Sequence, residues 1–337
     1  MKNVLYIGNN LIKKTSNISG IQILGPLLEN EGLRVTYTSS HNNKFLRIID
    51  MAYSCLKYAK KVDVVLIDTY STQNFYYAYI IGRLCKLLKL EYIPILHGGN
   101  LPSRLKNSPN LSQKLFKNAF MNVSPSLYLK EAFEAHGINN IIHIPNAIEI
   151  AKYPLKPKEY RTVNLLWVRS FSEIYNPLMA VEVLKLIKAQ YSDATLCMVG
   201  PDSDGTQSKV QQLANTLDLQ VKFTGKLTKE EWITLSENYN IFINTTNFDN
   251  TPVSVMEAMA LGLPVVSTNV GGIPYLIQDE FDGLLVNPND SVAMAKAINE
   301  LIDDKVKRKS IISNARRKVE SFDWDEVKKK WLQLLKA

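Results

Sequence analysis

The sequence predicts an α/β protein built from two doubly wound parallel-sheet domains. Three observations carry that expectation. At 337 residues the chain is too long for one ordinary core and fits two domains of roughly 150–170 residues each. Twelve short apolar runs alternate with segments of helical period from end to end. Between the sixth run and the seventh lies Tyr153-Pro154-Leu155-Lys156-Pro157-Lys158, which has two prolines and neither period, and reads as a linker. The expected layout is a first domain over 1–152, a linker over 153–162, a second domain over 163–320 and a terminal helix over 321–337.

The six runs of the first half cover residues 4–7, 35–38, 62–67, 92–96, 121–124 and 141–144. Those of the second half cover 163–168, 195–199, 221–223, 241–244, 264–267 and 284–286. They are apolar at nearly every position rather than at alternate ones, so both faces of each strand need cover, which helices between parallel strands supply. Segment 44–61 is amphipathic. Phe45, Ile48, Ile49, Ala52, Cys55, Leu56 and Ala59 make one stripe; Asp50, Ser54, Lys57 and Lys61 make the other, with Lys44, Arg47 and Lys60 nearby. Either the apolar stripe packs on the first sheet, or a basic face rests on anionic lipid. In the tail, Trp324, Val327, Trp331, Leu334 and Leu335 fall at helical spacing.

Composition narrows the class. With 46% hydrophobic and 21% charged residues, disorder is excluded as the main state. Cys55, Cys85 and Cys197 are too few and too scattered for a disulfide framework or a zinc pair, which suits a reducing compartment. No apolar run approaches the ~18 residues of a membrane span. The apolar stretch after Met1-Lys2-Asn3 is too short for a signal peptide, so a cytoplasmic protein is expected. A net charge of +8 favours anionic partners, either phosphorylated small molecules or an anionic lipid surface. Aromatic RNA signatures and basic recognition helices are missing, so nucleic acid is not expected.

In open α/β sheets ligands sit at the C-terminal ends of the strands. The richest such loop follows the run at 241–244: Asn247-Phe248-Asp249-Asn250-Thr251-Pro252-Val253-Ser254-Val255-Met256-Glu257. Thr251 can cap a helix that starts at Pro252. Gly262 ends that helix and Pro264 opens the next strand. Such a helix aims free N–H groups at whatever binds, which makes an anion site. Asp249 and Glu257 are two carboxylates eight residues apart; they are either working acids, or a turn residue and a partner for a distant base. The first loop, with Gly8-Asn9-Asn10 and Ser19-Gly20, carries neither G-x-G-x-x-G nor G-x-x-x-x-G-K-[ST], so a Rossmann dehydrogenase and a P-loop are unsupported.

The stretch from Asp249 resembles the nucleotide-sugar-dependent glycosyltransferases of family 4. Their signature is an acid, seven residues, then Glu leading into Glu-Ala-Met-Ala-x-Gly-x-Pro-Val-Val. Asp249 and Glu257-Ala258-Met259-Ala260-Leu261-Gly262-Leu263-Pro264-Val265-Val266 match it, with Asp where Glu is commoner, and Ser267-Thr268-Asn269-Val270-Gly271-Gly272-Ile273-Pro274 continues the match. The resemblance spans the second half and, more loosely, the first. It implies the GT-B fold: two Rossmann-like domains facing across a cleft, donor in the second and acceptor in the first, with the tail helix crossing back. It also implies retention of anomeric configuration.

The resemblance assigns roles by position. Glu257 is expected on the ribose hydroxyls and Asp249 on the transferred sugar, while the N–H groups of Asn250, Thr251, Pro252 and Val253 are expected on the diphosphate or sugar. Arg169, at the end of the run 163–168, is expected to grip the diphosphate. The Lys that follows it in the family is absent; the chain reads Tyr175-Asn176-Pro177, where Asn176 can cap a helix whose dipole supplies part of the missing charge. Gly200, Gly225, Lys226 and Leu227 are expected to flank the base, or to be ordinary glycine turns. Gly20 belongs to the family's flexible loop near the diphosphate.

In Leu96-His97-Gly98-Gly99-Asn100, His97 is expected near the transferred sugar, with Gly98, Gly99 and Asn100 on the acceptor side. Tyr70, in Asp68-Thr69-Tyr70-Ser71-Thr72, either lines the acceptor cleft or belongs to a helix cap. Arg169, His97 and Asp249 are thus the expected catalytic residues. No metal and no cofactor beyond the nucleotide sugar is expected, since no His/Asp cluster stands in a suitable loop. The expected partners are that donor, a glycan or lipid-linked acceptor, and an anionic membrane touched peripherally. Two other readings stand beside sugar transfer: a nucleotide-sugar 2-epimerase of the same architecture, and a carbohydrate-binding subunit.

Overall fold

The computed structural model describes residues 2–11 and 19–336. The part of the first loop at 12–18 lies outside the described residues. Among those described, all twelve expected runs are strands, within two residues at either end.

The chain divides into two compact units, Met1–Pro145 with Val327–Ala337, and Asn146–Glu326. The first unit holds β1 (Asn3–Ile7), α1 (Gly20–Asn30), β2 (Arg34–Thr38), α2 (Lys44–Tyr58), β3 (Val64–Thr69), α3 (Asn74–Leu87), β4 (Tyr92–Leu96), α4 (Leu101–Asn107), α5 (Pro109–Phe116), β5 (Asn122–Ser124), α6 (Leu127–Ala135) and β6 (Ile141–His143). The strands run in the order β2-β1-β3-β4-β5-β6, and every pairing is parallel. The order reverses between β1 and β3. Leu5, Ile7, Val65, Ile67, Phe75, Ile81, Phe116 and Phe133 are in its core.

The second unit holds β7 (Asn164–Val168), α7 (Pro177–Lys188), β8 (Thr195–Val199), α8 (Thr206–Thr216), β9 (Val221–Gly225), α9 (Lys229–Ser236), β10 (Ile241–Asn244), α10 (Val253–Ala260), β11 (Val265–Thr268), α11 (Ile273–Leu276), β12 (Leu284–Val286), α12 (Ser291–Asp303) and α13 (Lys305–Glu320). The order is β12-β11-β10-β7-β8-β9, again parallel throughout, and reverses between β7 and β10. Clusters pack both faces of this sheet, one around Trp167, Phe171 and Leu184 and one around Phe242, Met256 and Ile273. The buried Trp167 indole Nε1–H donates to Thr245 Oγ1 at 3.0 Å, so its polar edge is satisfied.

The last helix, α14 (Trp324–Lys336), buries the tail's apolar stripe: Trp324, Val327, Trp331, Leu334 and Leu335. The expected linker needs correction, because 153–162 belongs to the second unit and Tyr153 is buried in it. Its phenol reaches a carboxylate 104 residues away, a contact no local pattern reveals.

The face of α2 is corrected in part. Ile48, Ala52 and Cys55 of the apolar stripe pack on the first core, and Arg47, Met51 and Ser54 are buried too, while Phe45, Ile49 and Leu56 of the same stripe are exposed beside Leu46 and Tyr53. Hydrogen bonds turn the helix. The Arg47 guanidinium donates to His41 O at 2.9 Å, Asn42 O at 3.0 Å and Asn9 Oδ1 at 2.8 Å. On the same side Thr38 Oγ1 donates to Asp50 Oδ2 at 2.9 Å. A guanidinium with three acceptors can be buried where an unpaired one could not.

Candidate active site

Each unit gathers chemistry at the point where its strand order reverses, which is where doubly wound sheets open a crevice at the strand ends. In the second unit that point lies between β7 and β10. Arg169 follows β7 directly and its N–H donates to Val199 O at 3.0 Å. Its guanidinium forms an ion pair with Asp249, on the loop after β10, and lies 4.5 Å over the Tyr175 ring. Burial pushes the guanidinium below its ordinary value, and Tyr175 opposes this. Arg169 Nε is buried with no hydrogen-bond partner among the described residues, and so is Ser254 Oγ in the first turn of α10. Buried donors left unsatisfied are unusual in a folded protein.

Glycines let these loops close on one another. A Cβ at Gly200, which has φ +147°, would overlap the Arg169 carbonyl. The Gly200 N–H donates to Gly225 O at 2.9 Å, so the loops after β7, β8 and β9 meet. Gly271 and Gly272 press on the carbonyls of Asp249 and Asn250, and the Gly272 N–H donates to Asp249 O at 2.9 Å. Neither glycine carries a site role in the motif quoted above, although both lie within it.

The start of α10 differs from expectation by one position. Pro252, not Thr251, is its N-cap, with no side-chain cap. Proline has no N–H, and the Asn250 N–H already donates to Asp249 Oδ1 at 2.9 Å, so two of the four expected main-chain donors fall away. Val253 heads the helix. Asn176 stands at the N-cap of α7 in the left-handed region (φ 45°), yet makes no side-chain cap; its Nδ2 donates to Asn289 Oδ1 at 2.9 Å instead.

Glu257 is 3% exposed. Its Oε1 accepts from the Tyr153 hydroxyl at 2.8 Å and pairs with Lys229, at the start of α9. Burial, then Glu257, pushes the Tyr153 phenol well up. Neither Tyr153, in a linker-like stretch, nor Lys229, 28 residues from Glu257, was legible as a site residue in the sequence. Lys226 and Leu227 follow Gly225 on the same connection, and Leu227 packs on the core around Phe242.

In the first unit the reversal lies between β1 and β3. Asp68, near the end of β3, is fully buried. Its Oδ1 lies 2.8 Å from His97 Nε2 and accepts from the Tyr6 hydroxyl at 3.0 Å; its Oδ2 accepts from the Ile21 N–H at 3.2 Å. Burial, then Asp68, pushes the Tyr6, Tyr70 and Tyr77 phenols up. Tyr70 stacks on His97 with ring centroids 5.1 Å apart. A Cβ on Gly20 would come within 2.7 Å of the His97 ring, and one on Gly8 within 2.5 Å of Asp68 Oδ2. Gly98 (φ +87°) and Asn100 are exposed, Gly99 is buried, and Asn100 precedes α4 without capping it. His97 and Gly20 thus meet at Asp68, and Tyr70 joins them through the His97 ring; in the sequence Asp68 stands out only as the start of Asp68-Thr69-Tyr70-Ser71-Thr72.

Among the described residues no three His, Cys, Asp or Glu side chains gather as a metal site would need. No helix among them is long and apolar enough to cross a membrane.

The family model described as "Glycosyl transferases group 1" matches residues 150–318, half of the chain. The chain belongs to the glycosyl transferases group 1 family. Among curated relatives, the amylovoran biosynthesis glycosyltransferase AmsK of Erwinia amylovora is 26% identical over 251 residues, covering 71% of this chain and 62% of the relative. The sulfoquinovosyl transferase SQD2 of Arabidopsis thaliana is 28% identical over 148 residues, covering 43% of this chain and 28% of the relative. The chain thus spans less than two thirds of these relatives' lengths. Anabaena HepE, solved in complex with UDP-glucose, aligns with a TM-score of 0.79 at 18% identity over 100% of both chains. Sucrose-phosphate synthase of Thermosynechococcus elongatus aligns with a TM-score of 0.81 at 16% identity over 100% of this chain and 98% of the other. The fold shared with these glycosyltransferase neighbours is GT-B, carried here by two six-stranded parallel sheets.

Proposed function

We propose that this chain is a metal-independent, retaining hexosyltransferase that moves a sugar from a nucleotide-sugar donor to an acceptor hydroxyl in cell-surface glycan or glycolipid synthesis. The observation that carries the reading is the pairing of Arg169 with Asp249 at the reversal point of the second sheet, beside the start of α10. A cation and a helix N-terminus at one strand end suit a diphosphate. The unpartnered Arg169 Nε and Ser254 Oγ are donors such a ligand would satisfy. HepE, solved with UDP-glucose, supports a nucleotide sugar as the donor class.

In this mechanism the bond between the anomeric carbon and the phosphate oxygen breaks through an oxocarbenium-like state. Arg169 and the α10 N-terminus stabilise the charge gathering on the leaving diphosphate, the task a metal ion performs elsewhere. The acceptor oxygen attacks from the face the phosphate leaves, forming the glycosidic bond with retention. Its proton passes to the departing phosphate. Asp249 is a clamp on the sugar's hydroxyls once Arg169 turns to phosphate. Glu257 exchanges Tyr153 and Lys229 for the ribose hydroxyls.

The exposed row Phe45, Leu46, Ile49, Tyr53 and Leu56 on α2, with Lys44 and Lys57 on the same helix and Lys60 and Lys61 just beyond it, supports a resting contact with an anionic membrane. Co-sedimentation with phosphatidylglycerol vesicles but not with phosphatidylcholine vesicles is the expected result.

The test of the main reading is a thermal-shift panel of nucleotide sugars, followed by nucleotide diphosphate release with the best binder, in EDTA. Release that requires an acceptor supports transfer. Acceptor-free change of the sugar, seen by NMR, points to an epimerase instead, and binding without release points to a binding subunit.

A further inference from the structure

We propose that Asp68 is a positioning residue that fixes the His97 imidazole as its Nε2–H tautomer, so that Nδ1 presents a lone pair to a hydroxyl of the carbohydrate ligand. Only the identity of that hydroxyl rests on the sugar-transfer reading above; the tautomer does not.

The assignment follows from counting hydrogens at one buried carboxylate. Asp68 Oδ2 receives the Ile21 N–H at 3.2 Å, in the first turn of α1. A main-chain N–H can only donate, so Oδ2 is an acceptor. Oδ1 receives the Tyr6 hydroxyl at 3.0 Å. That phenol keeps its hydrogen, since burial and the neighbouring carboxylate both oppose its ionisation. A carboxylate with both oxygens receiving hydrogens has none to give, so His97 Nε2, 2.8 Å from Oδ1, satisfies the contact by donating. In a neutral ring the other nitrogen then carries the lone pair.

The ring has little room to turn away. Tyr70 stacks on it, the His97 N–H donates to Thr69 O at 2.7 Å, and Gly20 lies so close that a methyl group there would strike Cε1 and Nε2. Nδ1 has no hydrogen-bond partner among the described residues, and the side chain is 19% exposed. A ring held on one side and open on the other can accept a hydroxyl hydrogen in a fixed direction.

The test is Asp68→Asn in the full chain. The Ile21 N–H keeps the amide oxygen at the Oδ2 place, so the NH2 group takes the Oδ1 place and donates to Nε2. The ring proton then moves to Nδ1 and the lone pair facing the ligand is lost. Long-range 1H–15N NMR of 15N-histidine-labelled protein at pH 8 reads this directly: Nε2–H for His97 in the wild type and Nδ1–H in D68N. In steady state D68N should lose about ten- to hundredfold in kcat/KM, as expected for a ligand hydroxyl left without its acceptor. A rise confined to the donor KM assigns the hydroxyl to the transferred sugar, and one confined to the acceptor KM assigns it to the acceptor. A wild-type ring found as Nδ1–H or doubly protonated overturns the proposal, as does D68N with unchanged tautomer and kinetics. If D68N does not fold, the wild-type spectrum decides alone. If the wild type transfers no sugar, the spectrum still decides the tautomer, so the two readings fail separately.

Discussion

The two sheets reverse their strand order at equivalent places, yet they hold their carboxylates there by opposite means. In the second unit Asp249 and Glu257 are paired with Arg169 and Lys229, long side chains that carry full charge. In the first unit Asp68 is held by a phenol, an imidazole and a main-chain N–H. Long cations can swing from a carboxylate to a phosphate when one arrives, at the cost of little more than a rotamer change. Short donors fixed in the core cannot. On the proposed reading the second site exchanges partners and the first keeps them.

The largest expected effect breaks the exchanging side. Arg169→Ala removes the cation that the proposed mechanism sets against the leaving group, and turnover should fall by about 10²–10³ in a nucleotide diphosphate release assay. Arg169→Lys should not restore it, because the planar fork is lost. Glu257→Ala should act on binding: the donor KM should rise about ten- to hundredfold with kcat less affected, since in the proposed mechanism two ribose hydroxyls lose a buried acceptor. Unchanged donor kinetics in either variant would place the donor elsewhere.

The keeping side breaks through packing. Gly20→Ala drives a methyl group into the His97 ring at 2.7 Å, and should cost about 1–3 kcal/mol in denaturant unfolding of the first unit. The smallest effect sharpens the comparison with a second-unit carboxylate held by neutral donors in water. The hydroxyl of Thr206 first, then that of Ser172 and the N–H groups of Glu173 and Thr206, hold the exposed Asp204 carboxyl down at about 2 from its ordinary 3.8. A carboxyl lowered on folding gives stability above its unfolded value, and that stability is lost as pH falls through the folded one. Asp204→Asn should flatten the acid limb of the unfolding curve between those two values, moving Tm by less than about 4 °C. A larger shift would mean that neutral donors at the surface hold a carboxylate as firmly as those in the core.

Much of this was legible in the sequence. Strands buried on both faces write themselves as continuous apolar runs, and all twelve were found. The loop from Asp249 to Glu257 was legible because strand, acid, proline and helix follow one another without interruption. The contacts of the sites were not. Tyr153 reaches Glu257 across 104 residues and Asp68 reaches His97 across 29, and neither span leaves a periodic trace. The face of α2 misled because the Arg47 guanidinium found three acceptors inside, while Phe45 and Leu56 stayed out. Asn176 has the right place for a cap, but its left-handed backbone and the neighbouring Asn289 draw its side chain away.

The glycine pair at 271 and 272 has a consequence for redesign. A Cβ at either position would strike the carbonyl of Asp249 or of Asn250, so the loop after β10 has a floor with no thickness to spare. On the proposed reading, that main chain cannot be lowered to admit a bulkier sugar.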